Sequence, residues 1–175
     1  MKKMIALALS LMLILCAMAV LADGTAEKAE LGTTIAFSIR SIIPEGYTFS
    51  QLTSNELNLV GILTGGEGKP SITISIGYNE EYDGVERFND LDEAAVQEIK
   101  DSFQDMDEVV FEDLETAYGT KLLKVTQANK SFADIYTVYK GYELEFVMTA
   151  QGEVQDADVQ MLVDFISDMD FVPAA

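Results

Sequence analysis

The side chains available for chemistry are almost all oxygen-based. The 175 residues include no histidine, and the single cysteine, Cys16, lies in an apolar N-terminal stretch. Without imidazole the chain lacks the usual general base, the commonest metal ligand and every Ser-His or Cys-His pair. A serine activated by lysine is the nucleophile arrangement that remains, and Lys69 near Ser71, or Lys130 beside Ser131, would supply it. Both lysines stand at turn signals with nothing nearby to lower an amine pKa, so they read as loop-tip lysines. No catalytic residue is assigned, and the expectation is a protein that is not an enzyme.

Carboxylates are abundant: 30 Asp and Glu stand against 11 Lys and Arg, and the stretch from Glu80 to Glu115 holds 15 of the acids beside only Arg87 and Lys100. Glu80, Glu81 and Asp83, followed by Gly84, offer oxygen ligands on one loop, a set suited to calcium, the one cofactor these residues would take. Asp105, Asp107 and Glu108 form a second cluster. Neither has EF-hand spacing, and a solvated face that keeps the protein soluble accounts for the same residues. A carboxylate pair for glycan hydrolysis needs only two acids at a suitable separation, which 30 candidates leave open. The lack of tryptophan platforms weighs against it, and the tyrosines fall mostly on alternating strand positions that packing explains.

Two further motifs dissolve on inspection. Gly65 to Ser71 has the look of a phosphate loop, but Pro70 follows Lys69 where Ser or Thr is needed and Leu63 occupies the earlier glycine position. Those glycines suit a hairpin instead. Asn129-Lys130-Ser131 is a glycosylation sequon, which a bacterial source would make irrelevant.

The N-terminus reads as a secretory leader over residues 1–22. Lys2 and Lys3 give a positive start, Met4 to Leu15 is apolar apart from Ser10, and Val20-Leu21-Ala22 presents small residues for cleavage before Asp23, with Ala17-Met18-Ala19 as a second option. Met4 to Ala22 is also just long enough to be retained as a bilayer anchor. Lipidation of Cys16 is a third reading, with Leu13 three places before it, but Leu15 stands where lipoprotein signals carry a small residue. Cleavage removes two lysines and no acid, so the mature chain has 9 basic and 30 acidic residues and a formal charge of −21. Such a surface repels phosphate backbones and anionic lipid headgroups, so nucleic acid and anionic membranes are excluded as partners; a membrane enters only if the leader is retained or Cys16 is lipidated.

The rest must position these residues within one domain. Residues 23–32 are small and charged, without periodicity, and read as a flexible spacer; residues 33–175 form a single α+β domain. Alternation marks strands at Ile35 to Ile39, Leu57 to Leu63 and Ile72 to Tyr78, with Pro44 to Tyr47 as a turn into a further extended piece. The period then changes. Leu91, Val96, Ile99, Phe103 and Met106 share a helical face, with Asp90 as the N-cap and Glu93 completing a capping box. Strands resume from Glu108 to Leu114 and Lys121 to Gln127. Phe132 to Tyr139 and Tyr142 to Thr149 form a hairpin across Lys140-Gly141, and a helix runs from Asp156 to Met169. Short connections imply antiparallel strands, and the alternation leaves one face that the two helices would cover.

Phe37-Ser38-Ile39 before Ile43-Pro44-Glu45-Gly46-Tyr47, the Ile-rich third strand, the central helix, the Tyr139-Lys140-Gly141-Tyr142 hairpin and the helix before Phe171 together resemble the PsbP-like family. The likeness spans nearly all of the mature chain and rests on spacing. It implies an α/β/α sandwich around an antiparallel sheet, found in exported bacterial proteins that mostly act as binding or accessory factors, with no shared catalytic residues to carry over. The expectation is therefore a non-catalytic domain of the bacterial cell envelope or extracellular space that binds a protein or envelope component. A carboxylate-dependent glycan hydrolase and a calcium-binding exported protein are the alternatives.

Overall fold

The computed structural model describes residues 26–106 and 108–174. The leader, its cleavage options and Cys16 lie outside them, as does Asp107. Two antiparallel sheets and two helices make up the architecture, so the α+β expectation holds. The strands are β1 (Ala29–Thr33), β2 (Phe37–Ser41), β3 (Tyr47–Ser54), β4 (Asn58–Gly65), β5 (Ser71–Tyr78), β6 (Val109–Glu115), β7 (Lys121–Gln127), β8 (Phe132–Tyr139), β9 (Tyr142–Thr149) and β10 (Asp170–Pro173). The helices are α1 (Glu93–Asp101) and α2 (Asp156–Ser167), and 3-10 turns at Glu80–Tyr82 and Phe88–Asp90 precede α1. The large sheet runs β3-β4-β5-β9-β8-β7-β6, and the small one runs β1-β2-β10.

The period-2 pattern sets the main core. Ile72, Ile74 and Ile76 of β5 pair with Met148, Phe146 and Leu144 of β9, so one face of the large sheet is a continuous apolar surface. Helix α2 lays Val159, Leu162, Val163, Phe165 and Ile166 onto it, and Leu31, Phe37 and Ile39 of the small sheet complete the same core. At about 25 cal/mol per Å² of apolar surface, this burial supplies the main driving force in the absence of any disulfide among the described residues.

The two helices lie on opposite faces, which corrects the expectation of a single covered face. On the second face α1 brings Ile99 and Val96 against Leu123, Val125, Tyr136 and Val138, with Phe88 and Tyr82 of the 3-10 turns beside them. Strand β8 is thus buried on both sides, which is why its six central residues are all buried. This outer layer covers only the β6-β7-β8 part of the sheet.

Three boundaries differ from the sequence reading. Strand β1 starts at Ala29, inside the segment expected to be a spacer, because Leu31 is 1 % exposed within the core and β1 pairs with β2. Helix α1 begins at Glu93 with Asp92 as its cap, whose Oδ1 accepts from the Ala95 N–H at 2.9 Å; Asp90 instead accepts from the Arg87 N–H at 3.1 Å and closes the 3-10 turn that buries Phe88. Glu93 is then the first helical residue and cannot complete a capping box. Strand β10 follows α2, where no strand was read, because Phe171 packs on Tyr139 and Phe37 at centroid distances of 4.5 and 5.8 Å. The Lys140-Gly141 hairpin forms as expected, with φ of 50° and 79° at the two turn residues, as a type I′ turn requires.

Candidate functional site: an acidic cleft

Where the outer layer ends, the second face of the large sheet opens into a cleft of about 1050 Å³ between β5, β9 and β8 on one side and α1 with the Glu80–Tyr82 turn on the other. Its floor follows from register. Glu143 and Glu145 of β9 alternate with the buried Tyr142, Leu144 and Phe146 and so point away from the main core. Opposite them on β5 stand Gly77 and Ser75. Neither can cover a neighbouring carboxylate, so the floor stays open where a larger side chain would close it. Same-face residues two apart on a strand are separated by about 7 Å, which fixes the spacing of the two glutamates.

Glu143 is held in place. Its Oε1 accepts from the Tyr136 hydroxyl at 2.8 Å and from Asn79 Nδ2 at 2.8 Å. The Tyr136 and Tyr82 hydroxyl oxygens are 3.3 Å apart. Since Tyr136 has one proton and directs it to Glu143, Tyr82 is the donor in that second bond. The chain Tyr82 to Tyr136 to Glu143 and the Asn79 amide both end on Oε1, which leaves Oε2 without a hydrogen-bond donor among the described residues. Burial first, then the Glu143 charge and the hydrogen bond Tyr136 donates to Glu143, push the Tyr136 phenol far up, so it stays a donor. Tyr82 is also raised, by burial first.

Behind Glu145 lies Asp134 on β8, opposite Val147 and two residues before Tyr136, hence on the cleft side of the sheet. It is 1 % exposed, and without a proton its Oδ1 has no donor to meet. Burial, then the Glu145 charge and a hydrogen bond with Glu145, push its carboxyl up to about 8. At neutral pH Asp134 is therefore a carboxylic acid bonded to the Glu145 carboxylate. A buried charge here would be met only in part, by the backbone N–H of Phe146, and protonation removes it.

The walls add Glu81 from the first 3-10 turn, Asp90 and Asp92 from the segment leading into α1, and Glu98 from α1 itself. Among the described residues, no Lys or Arg lines the cleft. Tyr82 and Phe103 supply aromatic surface.

The residues singled out in the sequence are dispersed around this site. Glu81 lines the cleft; Glu80 is exposed on the same turn, and Asp83 stands next to Tyr78, whose phenol its charge pushes up. Among the described residues, no group of three Asp or Glu side chains is placed to hold a metal ion. Asp105 and Glu108 are exposed beyond α1. Lys69 donates to the Glu45 carbonyl at 2.7 Å and lies over the Tyr47 ring, while the Ser131 hydroxyl bonds Asn129 at 3.0 Å, so both lysine–serine pairs serve their turns. The floor residues Asn79, Asp134, Tyr136, Glu143 and Glu145 were missed. Their signal was the run of acids on the off-core positions of β9, opposite Ser75 and Gly77.

Among the described residues, no helix is long and apolar enough to cross a membrane. Comparison with protein-family models, with curated proteins and with solved structures found no match for this chain.

Proposed function

We propose that this is an exported, non-catalytic binding domain of the bacterial envelope or extracellular space, and that its acidic cleft takes a positively charged segment of a partner protein or envelope component. The observation that carries this reading is the cleft itself: about 1050 Å³, walled by Glu81, Asp90, Asp92 and Glu98 and floored by Glu143 and Glu145, with no cation among the described lining residues. Focused negative potential in a concave site raises the local concentration of cations and speeds their association. The carboxylates are spread over the cleft, and this suits an extended organic cation better than a metal ion, which needs its oxygen ligands converged within about 2.5 Å. The leader supports export, and a PsbP-like sandwich is the finer fold reading, supported by the sequence spacing described above.

Titration with a blocked triarginine peptide tests this. Saturable 1:1 binding that weakens when Glu143 and Glu145 are both changed to Gln, but not when Glu112 and Asp113 on β6 are changed to Gln and Asn, supports the cleft. Equal loss in both double variants would mean diffuse attraction to an acidic surface and would reject it.

A second reading, carboxylate-dependent glycan hydrolysis, is favoured by one observation: two glutamates, Glu143 and Glu145, line the floor of one cleft from the same face of β9, and such enzymes need only a pair of carboxylates flanking the scissile bond. The protonated group nearby, Asp134, is 1 % exposed and cannot reach a substrate oxygen. Release of reducing sugar from envelope glycans, abolished by Glu143→Gln, would establish this reading over the first.

A further inference from the structure

The cleft floor contains one feature that a passive acidic groove does not require. Asp134 is buried on the cleft side of the sheet with an oxygen that, once deprotonated, has no partner among the described residues, and it contacts the acid Glu145, which faces the cleft. Glu143, one alternation along the same strand, offers a free Oε2 at a position fixed by Tyr136 and Asn79. Resting on the reading of the cleft as a cation site, we propose that Glu143 and Glu145 together seat one organic cation, an alkylammonium or guanidinium group of the partner, and that Asp134 releases its proton to solvent when that cation docks.

The charges around the pair set the direction. Glu143 and Glu145 come from β9, Tyr136 from β8, Glu81 and Tyr82 from the first 3-10 turn, and Glu98 from α1; Asp90 and Asp92 stand at the mouth. Lys100 of α1 lies over the Phe111 ring on β6, and among the described residues no Lys or Arg lines the cleft. Beside Asp134 the field is therefore negative, and it favours the neutral acid. A guanidinium placed between Glu143 and Glu145 cancels the charge next to Asp134 and draws the Glu145 carboxylate toward itself. The O–H bond of Asp134 then breaks, the electron pair stays on Asp134 and the proton goes to buffer. Linkage requires the converse as well: raising pH strengthens binding of the cation across the range in which Asp134 loses its proton. A fork-shaped guanidinium, with donors for both carboxylates, suits the two-glutamate floor better than a point-charge ammonium does.

Calorimetric titration of the purified protein with blocked triarginine at pH 7, in buffers of differing ionisation enthalpy, reads the released proton directly. About half a proton or more per peptide is expected for the parent protein, with affinity rising between pH 6 and 9. Asp134→Asn should still bind peptide but release no Asp134 proton and show a flatter pH profile. Glu145→Gln, which removes the partner charge without touching the buried position, should also abolish the release and serves if Asp134→Asn does not fold. Binding that localises to the cleft but gives no proton release, or the same release from both variants, overturns the proton-linked seat while leaving the cation cleft intact. Absence of any saturable binding overturns both.

Discussion

The Tyr136 hydroxyl lies 2.8 Å from Glu143 Oε1, and the two residues belong to neighbouring strands of a hairpin whose turn is Lys140-Gly141. The hairpin thus sets both the register of the sheet and the position of the principal carboxylate. Tyr136→Phe removes one of the two donors to Oε1 and leaves the Tyr82 hydroxyl without its acceptor. The expected cost is about 1–2 kcal/mol of stability, measured by urea denaturation, with a several-fold loss of triarginine affinity and an unchanged fold.

Asp134 makes stability depend on pH in an unusual direction. Its folded carboxyl is raised to about 8 from 3.8, so between those values the folded protein holds a proton that the unfolded chain has lost. The Asp134 contribution is fully present below about pH 4, declines by up to about 1.4 kcal/mol per pH unit toward pH 8, and is flat above. Asp134→Asn removes this slope. Melting curves should therefore show the variant gaining on the parent protein steadily from pH 4 to 8, with a constant difference at higher pH; parallel curves would contradict the buried acid.

Ser75 faces Glu145 across β5 and β9, and its small side chain keeps that part of the floor open. Ser75→Phe places a ring in the cleft at a half-exposed strand position where aromatic residues are well accommodated. Triarginine affinity should fall at least about tenfold, or roughly 1.4 kcal/mol, with a melting temperature near that of the parent.

Leu31 ties the first strand into the core at 1 % exposure. Leu31→Ala should cost about 2–4 kcal/mol in denaturant unfolding, a loss that a solvated spacer would not show.

The dispersion of Glu80, Glu81 and Asp83 bears on calcium. Millimolar calcium should raise the melting temperature no more than magnesium at equal ionic strength, since neither ion finds converged ligands on that turn. A calcium-specific increase would return those residues to consideration as a metal site.

Local rules carried the fold far. The alternation of Ile72, Ile74 and Ile76, the Lys140-Gly141 turn and the face formed by Val159, Leu162 and Ile166 each specify their element from a few neighbours in sequence. What failed was non-local. Leu31 gave no periodic signal because a bulge between Glu30 and Gly32 interrupts its strand, and β10 is a strand only because Phe171 finds Tyr139 and Phe37. The cap of α1 moved from Asp90 to Asp92 because burying Phe88 uses the first acid in its own turn. The cleft was legible only in part. The off-core positions of β9 announce Glu143 and Glu145 as outward-facing, but their enclosure depends on α1 and the 3-10 turns covering β8 and stopping short of β9. The environment of Asp134 could not be read at all, since a lone acid within Phe132 to Tyr139 looks solvent-exposed until both faces of β8 are covered.

The most direct test is to map the bound peptide. Backbone and side-chain NMR of the protein titrated with triarginine should show the largest shifts at Ser75, Gly77, Tyr136, Glu143 and Glu145, with Glu143 and Glu145 carboxyl resonances moving together and little change on β6. Shifts spread evenly over the acidic surface, or centred on the exposed carboxylates of β6, would contradict a cation-binding cleft.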